Sequence, residues 1–172
     1  MSKPESDQFK LKRLDKSAVP AAMERAEQYR LLNQPELAES ICLDVLEVDP
    51  ENRRAIVLTL LSLTDQFVES VAGNLARAKE LLDRLPDEYQ RAYYAGIICE
   101  REARALVHRG MPGAGYAAHE GLRNAMRHYE EAERLRPPGV DEALLRWNTC
   151  ARTIMSEGLE PAPVDEVPSM LE

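Results

Sequence analysis

The sequence predicts an all-α fold, and three observations support this prediction. Apolar residues recur at alternating spacings of three and four in several segments, as expected when one face of a helix is buried. Only 5% of the 172 residues are aromatic, so Leu, Ala, Val and Ile must supply most of the core. A pattern with a period of about 34 residues also recurs, which is typical of stacked helix pairs.

Residues 19–52 form the clearest of these repeating units. The small residues Ala26 and Ala38 stand at its eighth and twentieth places, where they allow two antiparallel helices to approach closely. The larger residues Tyr29 and Cys42 stand at the eleventh and twenty-fourth places and fill the gaps around them. This arrangement predicts two packed helices within the unit.

The two helices of this unit are expected at residues 19–32 and 35–48, joined by Asn33-Gln34-Pro35. Pro35 then lies in the first turn of its helix, where its missing N–H costs nothing. Pro50 follows the second helix, and because proline cannot continue a helix, it starts the next turn.

A second, less regular unit follows. Residues 55–64 are apolar on nearly every face, as expected of a helix that neighbours cover on both sides, and we expect them at the centre of the core. A turn is predicted around Gly73-Asn74. The helix after it should end at Pro86 and bury a stripe formed by Ala78, Leu81, Leu82 and Leu85.

The third unit is predicted to be one long hairpin. Its helices carry apolar or small residues at alternating spacings, and the Gly-rich residues 109–115 connect them. The first stripe is Ala92, Gly96, Cys99, Ala103 and Leu106, and the second is Ala118, Leu122, Ala125, Tyr129 and Ala132. A final amphipathic helix at about 141–155 has no partner after it and caps the stack.

These elements define a helical domain at residues 17–156 with a segment on either side. Residues 157–172 are rich in proline and contain five acidic residues but no Lys or Arg, so a disordered tail is expected. Residues 1–16 are polar. Their apolar residues, Phe9, Leu11 and Leu14, either anchor a short helix or belong to a frayed end.

The repeat positions resemble the signature of the tetratricopeptide repeat (TPR). Two stretches carry the resemblance: Ala26, Tyr29, Ala38, Cys42, Val45 and Pro50 in the first unit, and Ala125, Tyr129, Ala132 and Pro137 in the third. The resemblance covers roughly residues 19–155 and implies a right-handed α-solenoid of antiparallel helix pairs, with about three repeats and a capping helix. It also implies that a protein or peptide binds in a concave groove lined by the first helix of each pair.

The groove positions of the family, carried over to this sequence, predict a partner-binding surface of mixed apolar and polar side chains. Its residues are Met23, Glu27, Arg30, Arg54, Val57, Leu61, Gln90, Tyr93, Ile97, Glu100, Leu144 and Asn148. This set does not reproduce the clamp of lysines and asparagines by which some TPR proteins hold a C-terminal carboxylate, since only Asn148 is of the right type. Trp147 is expected in the core.

Charge and hydropathy exclude several classes of partner. The net charge is −8 and no segment has a dense basic surface, so nucleic acid is not expected as a partner. No stretch approaches the roughly 20 apolar residues that cross a bilayer, and residues 1–17 lack the apolar region of a secretory signal. We therefore expect a cytoplasmic protein without a membrane partner.

No catalytic or cofactor-binding motif is apparent. The Gly-rich residues 110–115 lack the Lys-Ser/Thr of a phosphate-binding loop, and no two of the three histidines share a helix face. The cysteines are interpreted as buried free thiols. Two carboxylate–arginine pairs at i,i+4 spacing, Glu100 with Arg104 and Glu130 with Arg134, are typical of a solvated face. No metal, cofactor or catalytic residue is predicted.

The sequence thus favours a non-catalytic scaffold that binds a protein or peptide. One alternative is a self-assembly module, in which the incomplete last unit or the long third hairpin packs on a second copy of the chain. The acidic tail could then lie in the groove of that neighbour. A helical enzyme without a readable motif is the other alternative, because distant residues converge in a fold.

Overall fold

The computed structural model describes residues 9–163, which contain seven α-helices and no strand. The all-α prediction is confirmed. The helices are α1 (Val19–Leu31), α2 (Pro35–Val48), α3 (Arg53–Asp65), α4 (Ala72–Asp83), α5 (Glu88–Arg109), α6 (Ala114–Leu135) and α7 (Glu142–Glu157). None of these helices combines the length and apolar composition that a membrane-spanning segment requires.

The first helix pair has the bounds that the sequence predicts. Helix α1 ends at Leu31 and α2 begins at Pro35, and the two pack against each other. Asn33 makes the turn with a positive φ of 57°, a conformation that asparagine tolerates better than most residues. The N–H of Gln34 donates to the carbonyl of Tyr29 at 2.9 Å, so the end of α1 is satisfied within the turn.

The chain divides into two compact units, Met1–Leu63 and Thr64–Glu172. The core of the first unit is a cluster of small and aliphatic side chains from α1, α2 and α3, formed by Met23, Ala26, Cys42, Val45, Ala55 and Leu58. Leu14 packs against this cluster from the N-terminal segment. That segment has no helix from residue 9 to Asp15 and then a short 3-10 helix at Lys16–Ala18, while residues 1–8 lie outside the described part.

The second predicted unit needs two corrections. Helix α3 is longer than the expected 55–64, because Asn52 caps its start by accepting from the N–H of Ala55 at 3.0 Å. The predicted turn at Gly73-Asn74 is wrong, since both residues lie in the first turn of α4. The connection instead occupies residues 66–71, which follow the end of α3 and contain the buried Phe67.

The long hairpin is confirmed, with a shorter tip than expected. Helix α5 ends at Arg109, and Gly110 adopts the left-handed conformation, with a φ of 62°, that terminates it. Helix α6 begins at Ala114, so Ala114 and Gly115 of the predicted loop are helical. At the other end of α5, Asp87 caps the helix by accepting from the N–H of Gln90 at 2.8 Å.

Helices α5 and α6 approach each other through glycines. A Cβ on Gly96 would lie 2.4 Å from Cε1 of Tyr129, and a Cβ on Gly121 would lie 2.9 Å from the Cβ of Ala103. Gly96, early in α5, thus meets Tyr129, late in α6, whereas Ala103, later in α5, meets Gly121, earlier in α6. The two helices therefore run antiparallel. Helix α7 packs against α6.

Helix α7 extends through Glu157, two residues beyond the expected 141–155. Gly158 ends it with a φ of 59°, and the N–H of Leu159 donates to the carbonyl of Ile154 at 3.0 Å. Of the segment predicted to be a disordered tail, the structure describes residues 157–163. Residues 164–172 lie outside the described residues.

The contact between Gly96 and Tyr129 predicts a loss of stability for Gly96→Ala. The added methyl gains roughly 1 kcal/mol of helix propensity, but it collides with a buried ring, and overpacking of this kind costs about 1–3 kcal/mol. We expect a net destabilisation of about 1 kcal/mol, or a fall in Tm of about 2–4 °C. Thermal unfolding followed by circular dichroism measures this change.

Gly73→Ala is the matched control, because a Cβ at Gly73 meets nothing within 4 Å. Its Tm should stay the same or rise slightly. Equal Tm values for both variants would contradict the close packing of α5 on α6.

Candidate functional site

The structure distributes the predicted groove residues over both compact units. In the first unit, Glu27 and Arg54 form an ion pair at 2.6 Å, Arg30, Val57 and Leu61 are half-buried, and Met23 belongs to the core. In the second unit, Gln90, Tyr93 and Asn148 are half-buried, and Leu144 is exposed. Ile97 and Glu100 are buried and do not line an accessible surface.

Glu100 is the most unusual of these residues. Its pair with Arg104 was expected on a solvated face, but only 1% of Glu100 is exposed, so that part of the prediction is wrong. The Oε1 atom of Glu100 accepts from Nε of Arg104 at 3.1 Å and from Nη1 of Arg146 at 3.2 Å. Its Oε2 atom accepts from the hydroxyl of Tyr129 at 2.7 Å. One buried carboxylate therefore connects α5, α6 and α7.

Local sequence explains how Glu100 reaches this position. It lies one turn after Gly96, on the side of α5 that faces α6, and Gly96 leaves room for the ring of Tyr129. Arg104 follows Glu100 by one further turn, and Arg146 lies in the first half of α7. A carboxylate withdrawn from water is costly unless cations and hydrogen bonds compensate for its lost hydration. Here two guanidinium groups and one phenol supply that compensation.

The electrostatics agree with this geometry. Burial raises the pKa of the Tyr129 phenol, and the negative charge of Glu100 raises it further, so Tyr129 stays a hydrogen-bond donor. Burial acts to lower the pKa of the Arg146 guanidinium, but the charge of Glu100 and the hydrogen bond with Tyr93 reverse that effect and raise it. Tyr129 and Arg146 therefore keep the protonation that the cluster needs.

Three tyrosine rings of α5 continue from the ring of Tyr129. The ring of Tyr93 lies 5.9 Å from that of Tyr129, 5.2 Å from that of Tyr94 and 6.0 Å from that of Tyr89. The hydroxyl of Tyr89 donates to Oε2 of Glu142 at 3.2 Å, which forms a second link between α5 and α7. The tyrosine cluster is thus continuous with the Glu100 site through Tyr129, whose hydroxyl donates to Glu100.

The other side of the cluster is accessible. The side chain of Arg104 is 43% exposed and that of Arg146 is 32% exposed, although both hold the buried Glu100. Nη2 of Arg104 also donates to Thr153 at 3.1 Å. The two guanidinium groups thus share the one carboxylate of Glu100 and are partly exposed on the surface of α5 and α7. We call Arg104 and Arg146 the arginine pair.

A surface cleft of about 330 Å³ adjoins this pair and continues along α5. Arg104 lines it together with Arg101, His108 and Phe67. Within the cleft, Arg101 pairs with Asp65 and donates to Thr64 at 2.6 Å. The cleft and the arginine pair present guanidinium groups next to apolar surface, which suits a peptide that carries carboxylates.

Sequence reasoning named Glu100 as a groove residue but missed its buried cluster with Tyr129 and the arginine pair, although a signal for the burial was present. Glu100 stands four residues after Gly96 and three before Ala103, so helical periodicity places it within the stripe of small residues that faces α6. The other expected pair also differs, because Arg134 pairs with Glu131 and Glu130 accepts from Nε1 of Trp147 at 2.9 Å. Trp147 is half-buried, with its ring nitrogen bonded at the surface.

Neither a metal site nor a reactive thiol is apparent among residues 9–163. Those residues contain no group of three or more His, Cys, Asp or Glu side chains that fits a metal ion. Burial raises the pKa of the Cys42 thiol to about 11 and that of Cys150 to about 12, and it also raises the pKa of Cys99. At neutral pH these thiols carry their protons, which makes them poor nucleophiles.

The hydrogen bond from Tyr129 to Glu100 predicts that Tyr129→Phe destabilises the protein. The substitution keeps the ring that packs on Gly96 but removes a donor from a buried carboxylate, at a cost of about 1–3 kcal/mol. Urea unfolding followed by circular dichroism measures this cost. Tyr116→Phe is the control, since Tyr116 is 44% exposed, and it should change the stability by less than about 0.5 kcal/mol. Equal stability of the two variants would contradict the role of this bond.

Relatives add no information about this site. Comparisons with protein-family models, with curated proteins and with solved structures found no match. The TPR-like interpretation therefore rests on the spacing of the repeat residues in the sequence.

Proposed function

We propose that this protein is a non-catalytic, TPR-like scaffold that binds an acidic segment of a partner protein on the surface of α5 and α7. In this proposal the helix pairs stack as a right-handed solenoid, and the groove-lining helices present the binding residues. The bounds of α1 and α2 and the antiparallel packing of α5 on α6 support the repeat interpretation.

One observation carries the binding proposal: the buried Glu100 holds Arg104 and Arg146 in place while leaving both side chains partly exposed. Free arginines lose considerable rotamer freedom when they bind a ligand. The arginine pair has already lost much of that freedom on folding, so a partner carboxylate bears less of the cost. The remaining N–H groups of each guanidinium can donate to that carboxylate in bidentate geometry.

Apolar surface beside the pair supports a peptide over a small anion. Val68 is 46% exposed at the adjoining cleft, and Leu144 is 37% exposed on α7. A bound segment is therefore expected to combine acidic residues with one or two aliphatic side chains. Binding of this kind weakens as salt screens the charges.

Selection of random peptides displayed on phage against the full chain tests this proposal. We expect the selected peptides to be enriched in Asp and Glu, and to bind the Arg104→Gln variant at least about tenfold more weakly, because one charge-assisted hydrogen bond is worth roughly 1.5–3 kcal/mol. Isothermal titration calorimetry measures the affinities. Arg104→Gln leaves Glu100 bonded to Arg146 and Tyr129, so the fold should survive.

Arg134→Gln is the matched control, because Arg134 lies on α6, is 72% exposed and pairs with Glu131. Its affinity for the selected peptides should equal that of the unmodified protein. Peptides without acidic enrichment, or equal binding by both variants, would exclude the arginine pair as the binding site.

Exposed apolar residues on α7 favour self-assembly as a second candidate function. Leu144 is 37% exposed and Met155 is 71% exposed. They are eleven residues apart and so lie on one face of the helix, together with the half-buried Asn148 and Ala151. A helix that ends a stack presents such a face to solvent or to a second copy.

If this face joins two copies, the unmodified protein should be a dimer in solution. The double variant Leu144→Ser/Met155→Ser should be a monomer, because the two substitutions remove apolar area from the contact. Size-exclusion chromatography with light scattering measures the mass. Leu31→Ser is the control, because Leu31 is 85% exposed on α1. A monomeric unmodified protein at high micromolar concentration would rule out this function for α7.

A further inference from the structure

A negatively charged group stands beside the arginine pair on the same surface. Glu142 is the first residue of α7 and precedes Arg146 by one helical turn. It is exposed, and its Oε2 atom accepts from the hydroxyl of Tyr89 on α5. Among residues 9–163 no cation pairs with its carboxylate. Glu142 is therefore positioned by a phenol but keeps an unbalanced negative charge.

The contacts between α5 and α7 place this carboxylate and the arginine pair along one strip of surface. The contacts follow the same order along both helices, and they are Tyr89 with Glu142, Glu100 with Arg146, and Arg104 with Thr153. From the first to the last of these contacts α7 rises about 16 Å, which is the length of about five extended residues. One short segment of a partner can therefore meet both groups.

The charge along this strip is dipolar. Glu142 makes one end negative, and the arginine pair makes the rest positive, even though it shares the carboxylate of Glu100. A wholly acidic segment would be attracted by the arginine pair and repelled by Glu142. A segment with a positive charge next to its acidic residue would gain from both ends.

The surroundings of Glu142 suit a cation. Acidic residues are common in the first turn of a helix because they complement its dipole. Glu142 differs from that ordinary case, because the ring of Tyr89 beside it stacks on that of Tyr93, with the centroids 6.0 Å apart and the planes at 15°. Both tyrosines are half-buried. The face of a tyrosine ring attracts ammonium and guanidinium groups, and a neighbouring carboxylate adds to that attraction.

The bond that positions Glu142 persists at neutral pH. Burial raises the pKa of the Tyr89 phenol, and the negative charge of Glu142 raises it further. The phenol therefore keeps its proton and continues to donate to Glu142. One oxygen of that carboxylate is held by the hydroxyl, and the carboxylate can accept further bonds from a ligand.

We propose that Glu142, together with the rings of Tyr89 and Tyr93, binds a Lys or Arg side chain of the partner segment whose acidic residue binds the arginine pair. This inference rests on the proposed function and deepens it, because it adds a second charge to the segment and gives the segment a direction. The Cβ atoms of Glu142 and Arg146 are about 6 Å apart, and two extended residues span about 6.6 Å. The basic residue is therefore expected two or three positions from the first acidic residue, always on the same side of it.

Selection of random peptides displayed on phage, against the full chain and its Glu142→Gln variant, tests this inference. Peptides selected on the unmodified protein should carry Lys or Arg at a constant spacing from Asp or Glu. Selection on Glu142→Gln should keep the acidic enrichment and lose the basic one. By isothermal titration calorimetry, peptides selected on the unmodified protein should bind Glu142→Gln about five- to tenfold more weakly, because an ion pair beside an aromatic face is lost. The amide oxygen of the variant still accepts from Tyr89, so the fold should survive.

Glu131→Gln is the matched control, because it removes the same charge from an exposed carboxylate on α6 that pairs with Arg134. It should select peptides with both charges and bind them with unchanged affinity. Glu142→Arg reverses the charge at the proposed site. Peptides selected on this variant should carry Asp or Glu in place of the Lys or Arg.

The outcomes separate this inference from the proposed function. Acidic peptides without a basic residue at constant spacing would overturn the cation site and leave the arginine pair as the binding site. Equal affinities of Glu142→Gln and Glu131→Gln for the selected peptides would overturn the cation site as well. Peptides without acidic enrichment would overturn the proposed function and this inference together.

Discussion

The burial of the Glu100 carboxylate is the constraint on which the second compact unit depends. A buried carboxylate without cations or hydrogen-bond donors costs several kcal/mol. Arg104 on α5, Tyr129 on α6 and Arg146 on α7 together supply that compensation to Glu100. Apolar side chains tolerate small shifts between helices. A buried carboxylate with three specific donors does not, and it therefore selects one arrangement of these helices over others that bury similar apolar area.

Small residues make this arrangement possible. Gly96 admits the ring of Tyr129, and Gly121 meets Ala103, so the two long helices approach closely enough for the Tyr129 hydroxyl to reach Glu100. Each glycine costs about 1 kcal/mol of helix propensity, and the packing and hydrogen bond that it permits offset this loss. The two glycines, which weaken the helices, are thus what allows the Glu100 carboxylate to be buried with its hydrogen bond to Tyr129.

Much of the helical architecture was predictable from the sequence, because helix periodicity, proline and glycine act locally. Residues 35–48 are helical as expected, and the long hairpin follows from its two stripes of small residues. The start of α4 was not predicted, since Gly73 and Asn74 favour a turn and yet lie inside a helix. Glu100 was assigned to a solvated face because an i,i+4 pair with arginine is common there. Helical periodicity places Glu100 in the stripe that faces α6, but its partners Tyr129 and Arg146 are distant in sequence, so local patterns do not reveal which groups compensate its charge.

The same buried carboxylate links the stability of the fold to the arrangement of charge on its surface. A surface arginine without a partner is mobile, whereas an arginine in a closed ion pair has its charge already neutralised. Arg104 and Arg146 are neither mobile nor fully neutralised. They share the single carboxylate of Glu100, and each side chain stays partly exposed. Their orientation is fixed by folding and their combined charge exceeds that of Glu100. A fold that must solvate one buried carboxylate with two arginines therefore acquires a preorganised, positively charged surface as a direct consequence of its core.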